Sequence, residues 1–167
     1  MNKRLDNALL ESLEKQNYNQ AKECLLQGAN PNARFSQWNW PSILSSVGSP
    51  SLLLLFIEKG ADVNVCEENK FYSPLILATR VNSFDSVKML LENGANRHHQ
   101  SFAGLPALFY AMEFRHRKIF DLLLKQEDNV EFLNYMIDLY EDKKEIVHLE
   151  EKYRDRIILK KNKLNDE

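Results

Sequence analysis

Apolar residues recur along this chain in short helical stripes, separated at regular intervals by glycine and proline. Leu5, Ala8, Leu9 and Leu13 mark one face of a helix over 5–16, because residues three and four apart share a side of a 3.6-residue turn. Asn17 to Asn19 form a turn, and Ala21, Cys24 and Leu25 stripe a second helix over 19–27. A short helix over 42–47 is predicted to stop at Gly48-Ser49-Pro50, where Ser49 caps a helix over 51–59 and Pro50 sits in its first turn. Leu52 to Ile57 is apolar nearly all round, so that helix is expected to be buried nearly all round. Pro74 opens another helix. Asn82 is expected to cap its successor, with Asp85 in the acidic capping position and Val87, Leu90 and Leu91 facing inward. Helices over 106–114 and 116–125 follow, the second packing Ile119, Phe120, Leu122, Leu123 and Leu124.

The helices come in pairs, and the pairs repeat. Gly28-Ala29-Asn30-Pro31-Asn32 returns as Gly60-Ala61-Asp62-Val63-Asn64, and again as Gly94-Ala95-Asn96. Pro41, Pro74 and Pro106 recur in step with these motifs. Neither helix of a pair can bury its apolar face alone, so each unit requires neighbours. In Ser73-Pro74-Leu75-Ile76-Leu77-Ala78 the chain resembles the ankyrin repeat family, whose period is about 33 residues and whose signature is Thr-Pro-Leu-His-x-Ala. Ser73 stands for Thr and Ile76 for His; Trp40-Pro41 and Leu105-Pro106-Ala107 are poorer copies. The resemblance covers about 5–126. It implies an all-α solenoid of about four helix-turn-helix repeats, with irregular finger loops and C-terminal capping helices. In the family the histidine ties one repeat's turn to the next. Ile76 cannot donate that bond and is expected to be buried instead.

Gln126-Glu127-Asp128 stand where the fourth repeat's closing glycine motif belongs, so the regular array is expected to occupy 1–128. Val130, Leu133, Met136, Ile137 and Tyr140 predict a helix over 129–141, and the apolar positions from Ile146 to Ile158 predict another over 145–160. These give an extension over 129–159 packed on the last repeat. The charged residues 160–167 read as a disordered tail.

Composition narrows the functional classes. A formal net charge of −2 over 167 residues offers no basic excess for phosphates, so no nucleic acid is expected as partner. Ser51 to Ile57 is the most apolar stretch and is too short to cross a bilayer, so no stable membrane insertion is expected. Met1 to Asp6 begins basic without an apolar run, unlike a secretory signal. Two cysteines, Cys24 and Cys66, make no disulfide framework, and a reducing, cytoplasmic setting is the simplest expectation. His98-His99 lacks the cysteines or carboxylates that would complete a tetrahedral metal set. No nucleophile triad and no glycine-rich phosphate loop is apparent. The expectation is therefore no catalytic residue, no cofactor, no metal, and no enzyme. An unrecognised enzyme would show itself by a closed pocket with converging polar groups and shifted pKa values.

The resemblance implies that a partner protein binds the concave side, built from the finger loops over 33–40, 65–73 and 98–105 and from each first helix. The candidates are Arg34 and Trp38 in the first finger, Lys70 and Tyr72 in the second, and His99 and Phe102 in the third. Arg80, Glu113 and Arg115 join them from the first helices. Trp38 and Tyr72 are the expected anchors, since Trp, Tyr and Arg dominate interface energies. Trp40, next to Pro41, reads as structural, and Phe71 and Phe102 as packed. A competing surface is the outer face of the extension, through Tyr140 and Tyr153. The chain is expected to be a monomer on its own. Small ankyrin proteins occur in eukaryotes, in viruses and in intracellular bacteria, where they act as injected effectors. The Asn- and Lys-rich wording suits an AT-rich bacterial genome. That favours an effector delivered into a host cell without a conventional signal. The alternative is a subunit or inhibitor masking an enzyme of its own cell.

Overall fold

The computed structural model describes residues 2–37, 39–147 and 149–166, with backbone alone over 145–147. Helices α1 (Lys3–Glu14) and α2 (Tyr18–Leu26) form the first pair. A hairpin of β1 (Arg34–Phe35) and β2 (Trp40–Pro41) follows, with Arg34 opposite Pro41 and Phe35 opposite Trp40. The second pair is a 3-10 turn (Ser42–Ser46) and α3 (Pro50–Glu58). Next come α4 (Pro74–Arg80) with α5 (Phe84–Glu92), and α6 (Ala107–Glu113) with α7 (Arg117–Lys125). A hairpin of α8 (Val130–Val147) and α9 (Glu151–Asn165) ends the described chain. The inner row stacks α1 on the 3-10 turn, then α4, then α6. The outer row stacks α2, α3, α5 and α7. The architecture is the all-α repeat solenoid that the periodicity predicts.

Local chemistry fixes each turn. Ser73 Oγ accepts from the Ile76 N–H at 3.3 Å, and Pro74 occupies the first turn of α4, where no N–H is needed. Gln16, Asn82 and Arg115 hold left-handed backbone (φ 54°, 57° and 57°) at the corner between the paired helices of repeats one, three and four. Asn82 therefore does not cap α5, because a cap residue needs extended backbone. Ser83 takes that place, and its hydroxyl donates to Ser86 Oγ at 2.9 Å.

A side-chain ladder joins successive repeats. Asn32 Oδ1 accepts from the Asp62 N–H at 2.8 Å while its Nδ2 donates to the Gly60 carbonyl at 3.0 Å. Asn64 repeats the step on the Asn96 N–H at 2.7 Å and the Gly94 carbonyl at 3.1 Å. At the N-terminal end Asp6 Oδ1 accepts from the Asn30 N–H at 2.7 Å. At the C-terminal end the chemistry changes. Arg97 donates to the Gln126 carbonyl, and His98 Nε2 donates to Glu127 Oε2 at 2.8 Å. The other oxygen of buried Glu127 accepts from the Asp128 and Asn129 N–H groups at 3.1 and 2.8 Å. A charged residue thus closes the array where glycine is missing.

Ile76 is 1% exposed, as its lost histidine requires. The apolar α3 departs from expectation. Leu52, Leu53 and Phe56 are buried, but Leu54 is 42% exposed and Leu55 and Ile57 are half-buried. The helix lies in the outer row, so one face meets α2 and α5 and the opposite face meets water.

The C-terminal hairpin also differs from the sequence reading. α8 runs through 142–144, where a break was expected, to Val147, and α9 begins at Glu151 and continues to Asn165, where a disordered tail from residue 160 was expected. Leu164 packs on the core and supplies the reason. Tyr140 and Tyr153 are buried, Tyr140 donating to the Leu149 carbonyl and Tyr153 meeting Phe120 edge-on at 4.7 Å. Tyr153 ties the hairpin to α7 and Tyr140 closes the hairpin on itself, and with both buried neither can form the alternative partner surface.

Candidate functional site

The second finger is built around a carboxylate rather than a glycine. Buried Glu67 accepts from the N–H groups of Asn69 (2.7 Å), Lys70 (2.6 Å) and Tyr72 (3.3 Å), which curls the loop tightly enough to put Phe71 at φ 54°. The third finger clasps the second. His99 Nε2 donates to the Phe71 carbonyl at 2.6 Å, the Phe102 N–H to the Lys70 carbonyl at 2.8 Å, and the two phenyl rings stack at 6.3 Å. Phe102 remains 78% exposed and Phe71 exposed beside it, so neither ring is packed into the core as expected. The clasp fixes the backbone just before Tyr72.

Tyr72 starts an aromatic row. Its ring meets Tyr110 edge-on at 5.9 Å, and Tyr110 stacks on Phe114 at 6.2 Å. The Arg80 guanidinium lies over all three, at 4.5 Å from the Tyr72 centroid, 5.3 Å from Tyr110 and 5.6 Å from Phe114. The negative ring faces attract the cation and hold it in one place. Lys70 Nζ approaches the Tyr72 ring at 5.9 Å. Burial pushes the Tyr110 phenol up to about 12, against the opposing pull of its bond to Ser101 Oγ at 3.0 Å. Burial likewise raises the Glu113 carboxyl, and the Arg80 charge offsets part of that rise.

These groups line an open groove of about 560 Å³ on the concave side, bounded by Trp40, Glu67, Asn69, Lys70, Tyr72, Leu77, Arg80, Val81 and Phe114. Trp40 also lines a second, mainly apolar hollow of about 380 Å³ with Leu13, Glu14, Phe35 and Ser45. The two share a wall and run across the inner helices of all four repeats. Among the described residues no three His, Cys, Asp or Glu side chains converge as a metal-ligand set. No helix among them is long and apolar enough to cross a membrane.

Of the sequence-predicted residues, Lys70, Tyr72 and Arg80 come together here, with Glu113 within electrostatic reach. Arg34 lies at the far edge of the first finger, bonded to the Asn39 carbonyl at 2.8 Å. His99 and Phe102 belong to the clasp. Arg115 turns the other way and pairs with Glu150 at 3.3 Å, beside the C-terminal hairpin. Trp38 lies outside the described residues. Trp40, read from the sequence as structural, is half-buried and forms the shared wall. Val81 and Phe114 were missed. They are 55% and 40% exposed, stand one repeat apart, and each directly precedes a left-handed corner residue. Large apolar groups at that solvent-facing register position were the available signal.

The family described as ankyrin repeats, in three copies, matches residues 42–134. An ankyrin repeat protein of Acanthamoeba polyphaga mimivirus is 31% identical over 70 residues, which is 42% of this chain and 9% of that protein. A B-cell lymphoma 3 protein homolog of Mus musculus is 38% identical over 66 residues, 40% of this chain and 15% of that protein. The matched stretch thus spans less than a sixth of either relative.

Proposed function

We infer, for a chain that belongs to the ankyrin repeat family, a non-enzymatic module that captures another protein on its concave groove. The family fold implies protein–protein interaction. The observation that carries the location is the exposure of Val81 and Phe114 beside Trp40 and Tyr72. Large apolar groups held in water at matching register positions contribute little to their own fold and offer area to a partner. The clasped fingers and the caged Arg80 are already ordered, so little conformational entropy is lost on binding. The open groove, with no enclosed reaction chamber, suits a protein segment better than a small substrate.

Two uses of the groove remain distinct proposals: an effector acting on a host protein, and a subunit masking an enzyme of the same cell. The AT-rich character of the wording favours the first. The test is cross-linking and co-purification from host and parent lysates, followed by calorimetry with the purified partner. Tyr72→Ala with Val81→Ser is expected to weaken binding at least tenfold, while Leu54→Ser on the outer row leaves it unchanged. Equal binding by both variants, each shown folded by circular dichroism, overturns the groove assignment. A specific partner found only in the parent cell overturns the effector reading.

A further inference from the structure

We propose that the protein segment captured in the groove carries an aspartate or glutamate flanked by apolar side chains, with its carboxylate on Arg80 and Lys70 as a second charge. The proposal deepens the protein-capture reading and rests on it.

Arg80 is the basis. Among the described residues its guanidinium donates no hydrogen bond and has no carboxylate within ion-pair distance, although three rings fix its position. Lys70, over the same Tyr72 ring, has no such partner among them either. A guanidinium held near these rings without a hydrogen bond of its own has N–H donors left for a planar acceptor, and a carboxylate matches that fork with two parallel bonds. The groove's own acid cannot serve. Both Glu67 oxygens are committed to the backbone N–H groups of its loop. Glu113 feels the Arg80 charge without reaching it. In a chain of net charge −2, the groove therefore presents two cations that, among the described residues, have ring contacts but no hydrogen-bond or carboxylate partner, inside an apolar frame. A neutral or basic segment would leave the Arg80 donors without acceptors once water is displaced, which is unfavourable. An acidic residue between apolar neighbours satisfies the donors, while the neighbours cover Trp40 and Val81. Charge complementarity of this kind also orients the approach.

The experiment pans a phage-displayed library of random linear peptides on the full chain and measures the enriched peptides by fluorescence anisotropy. The expected peptides carry Asp or Glu beside apolar residues. They lose about tenfold in affinity on Arg80→Gln, lose a smaller factor on Lys70→Gln, and weaken as salt is raised. Their Asn or Gln isosteres lose the same factor on the parent protein. If Arg80→Gln unfolds the chain, the exposed Lys70→Gln variant and the isosteric peptides decide alone. Enriched peptides that depend on Tyr72 and Val81 but lack an acid, or ignore both charge removals, overturn this inference and leave the groove standing. Absence of any enriched peptide sensitive to Tyr72→Ala with Val81→Ser overturns both.

Discussion

Replacing Glu127 by alanine tests how the repeat array is joined to its C-terminal hairpin. The side chain is buried and accepts three hydrogen bonds, one from His98 at 2.8 Å and two from the N–H groups of Asp128 and Asn129. Bonds to a charged acceptor contribute about 1.5–3 kcal/mol, and the His98 bond falls at the low end, about 1.5 kcal/mol, because the His98 side chain is 36% exposed and water reaches part of it, although its ring lies 4.3 Å from Phe132. Asp128 and Asn129 are exposed, so water recovers part of their loss, leaving about 0.5–1 kcal/mol each. Glu127→Ala should therefore destabilise the junction by about 2.5–3.5 kcal/mol, the sum of these three bonds. Glu127→Gln can keep its amide oxygen on both backbone groups but puts an amide N–H where His98 donates, so it loses the His98 bond with the charge and should cost less than Glu127→Ala. Urea unfolding gives the totals, and hydrogen exchange locates them, because repeat arrays can lose cooperativity and open at one joint. Protection should fall first in α8 and α9 while α4 and α5 keep theirs. If Glu127→Ala unfolds within about 0.5 kcal/mol of the parent, the size of an ordinary surface change, and α8 stays protected, the carboxylate is dispensable. Packing of Leu133 and Met136 would then hold the joint alone.

Two further outcomes are expected. Leu53→Ala should lose about 2–5 kcal/mol in urea unfolding while Leu54→Ala, one residue on, behaves as an ordinary surface change; equal losses would mean α3 is buried all round after all. In alkaline solution the Tyr110 phenol, pushed to about 12 by burial, keeps its proton where the unfolded phenol, near 10, has lost it. Its contribution is thus intact below about pH 10 and lost as pH rises towards 12. Ultraviolet titration should show a late component that Tyr110→Phe removes, on top of later ionisation at Tyr135 and Tyr140, which burial also raises. Ionisation of all six tyrosines together near pH 10 would contradict this.

The repeat was legible because it rests on local rules. Pro74, Ser73 and the Gly-Ala-Asn motifs act within a few residues, and Ile76 could be placed inside because it replaces a polar group that needs a partner. The groove was half legible. Lys70, Tyr72 and Arg80 follow from register, but whether a ring covers the core or faces a partner depends on the backbone path around it. Phe102 was therefore misjudged as packed, while Trp40, read as structural, does pack against the core and also lines the groove. Glu67 and Glu127 looked like ordinary loop acids, because the N–H groups they hold are gathered only when the loop has folded. Leu54 shows the limit of a stripe that is apolar on every side: such a pattern names no outer face. At the C-terminus a lysine-rich composition hid the position of Leu164, and helix packing outweighed composition.

The ladder has a consequence for how such a molecule can lengthen. Asn32 and Asn64 make the same pair of bonds to the same backbone groups one unit on. A tandem duplication cut at the Gly-Ala-Asn motif would bring its own donor and its own acceptor, and both seams would heal without a compensating change. The seam after His98 has no such freedom. Arg97 and His98 reach for the carbonyl of Gln126 and the carboxylate of Glu127, and a fresh copy of the motif offers no acidic side chain at that position. Copy number is thus free to drift in the interior and is arrested at one junction, by two residues far apart in the chain that must be inherited together.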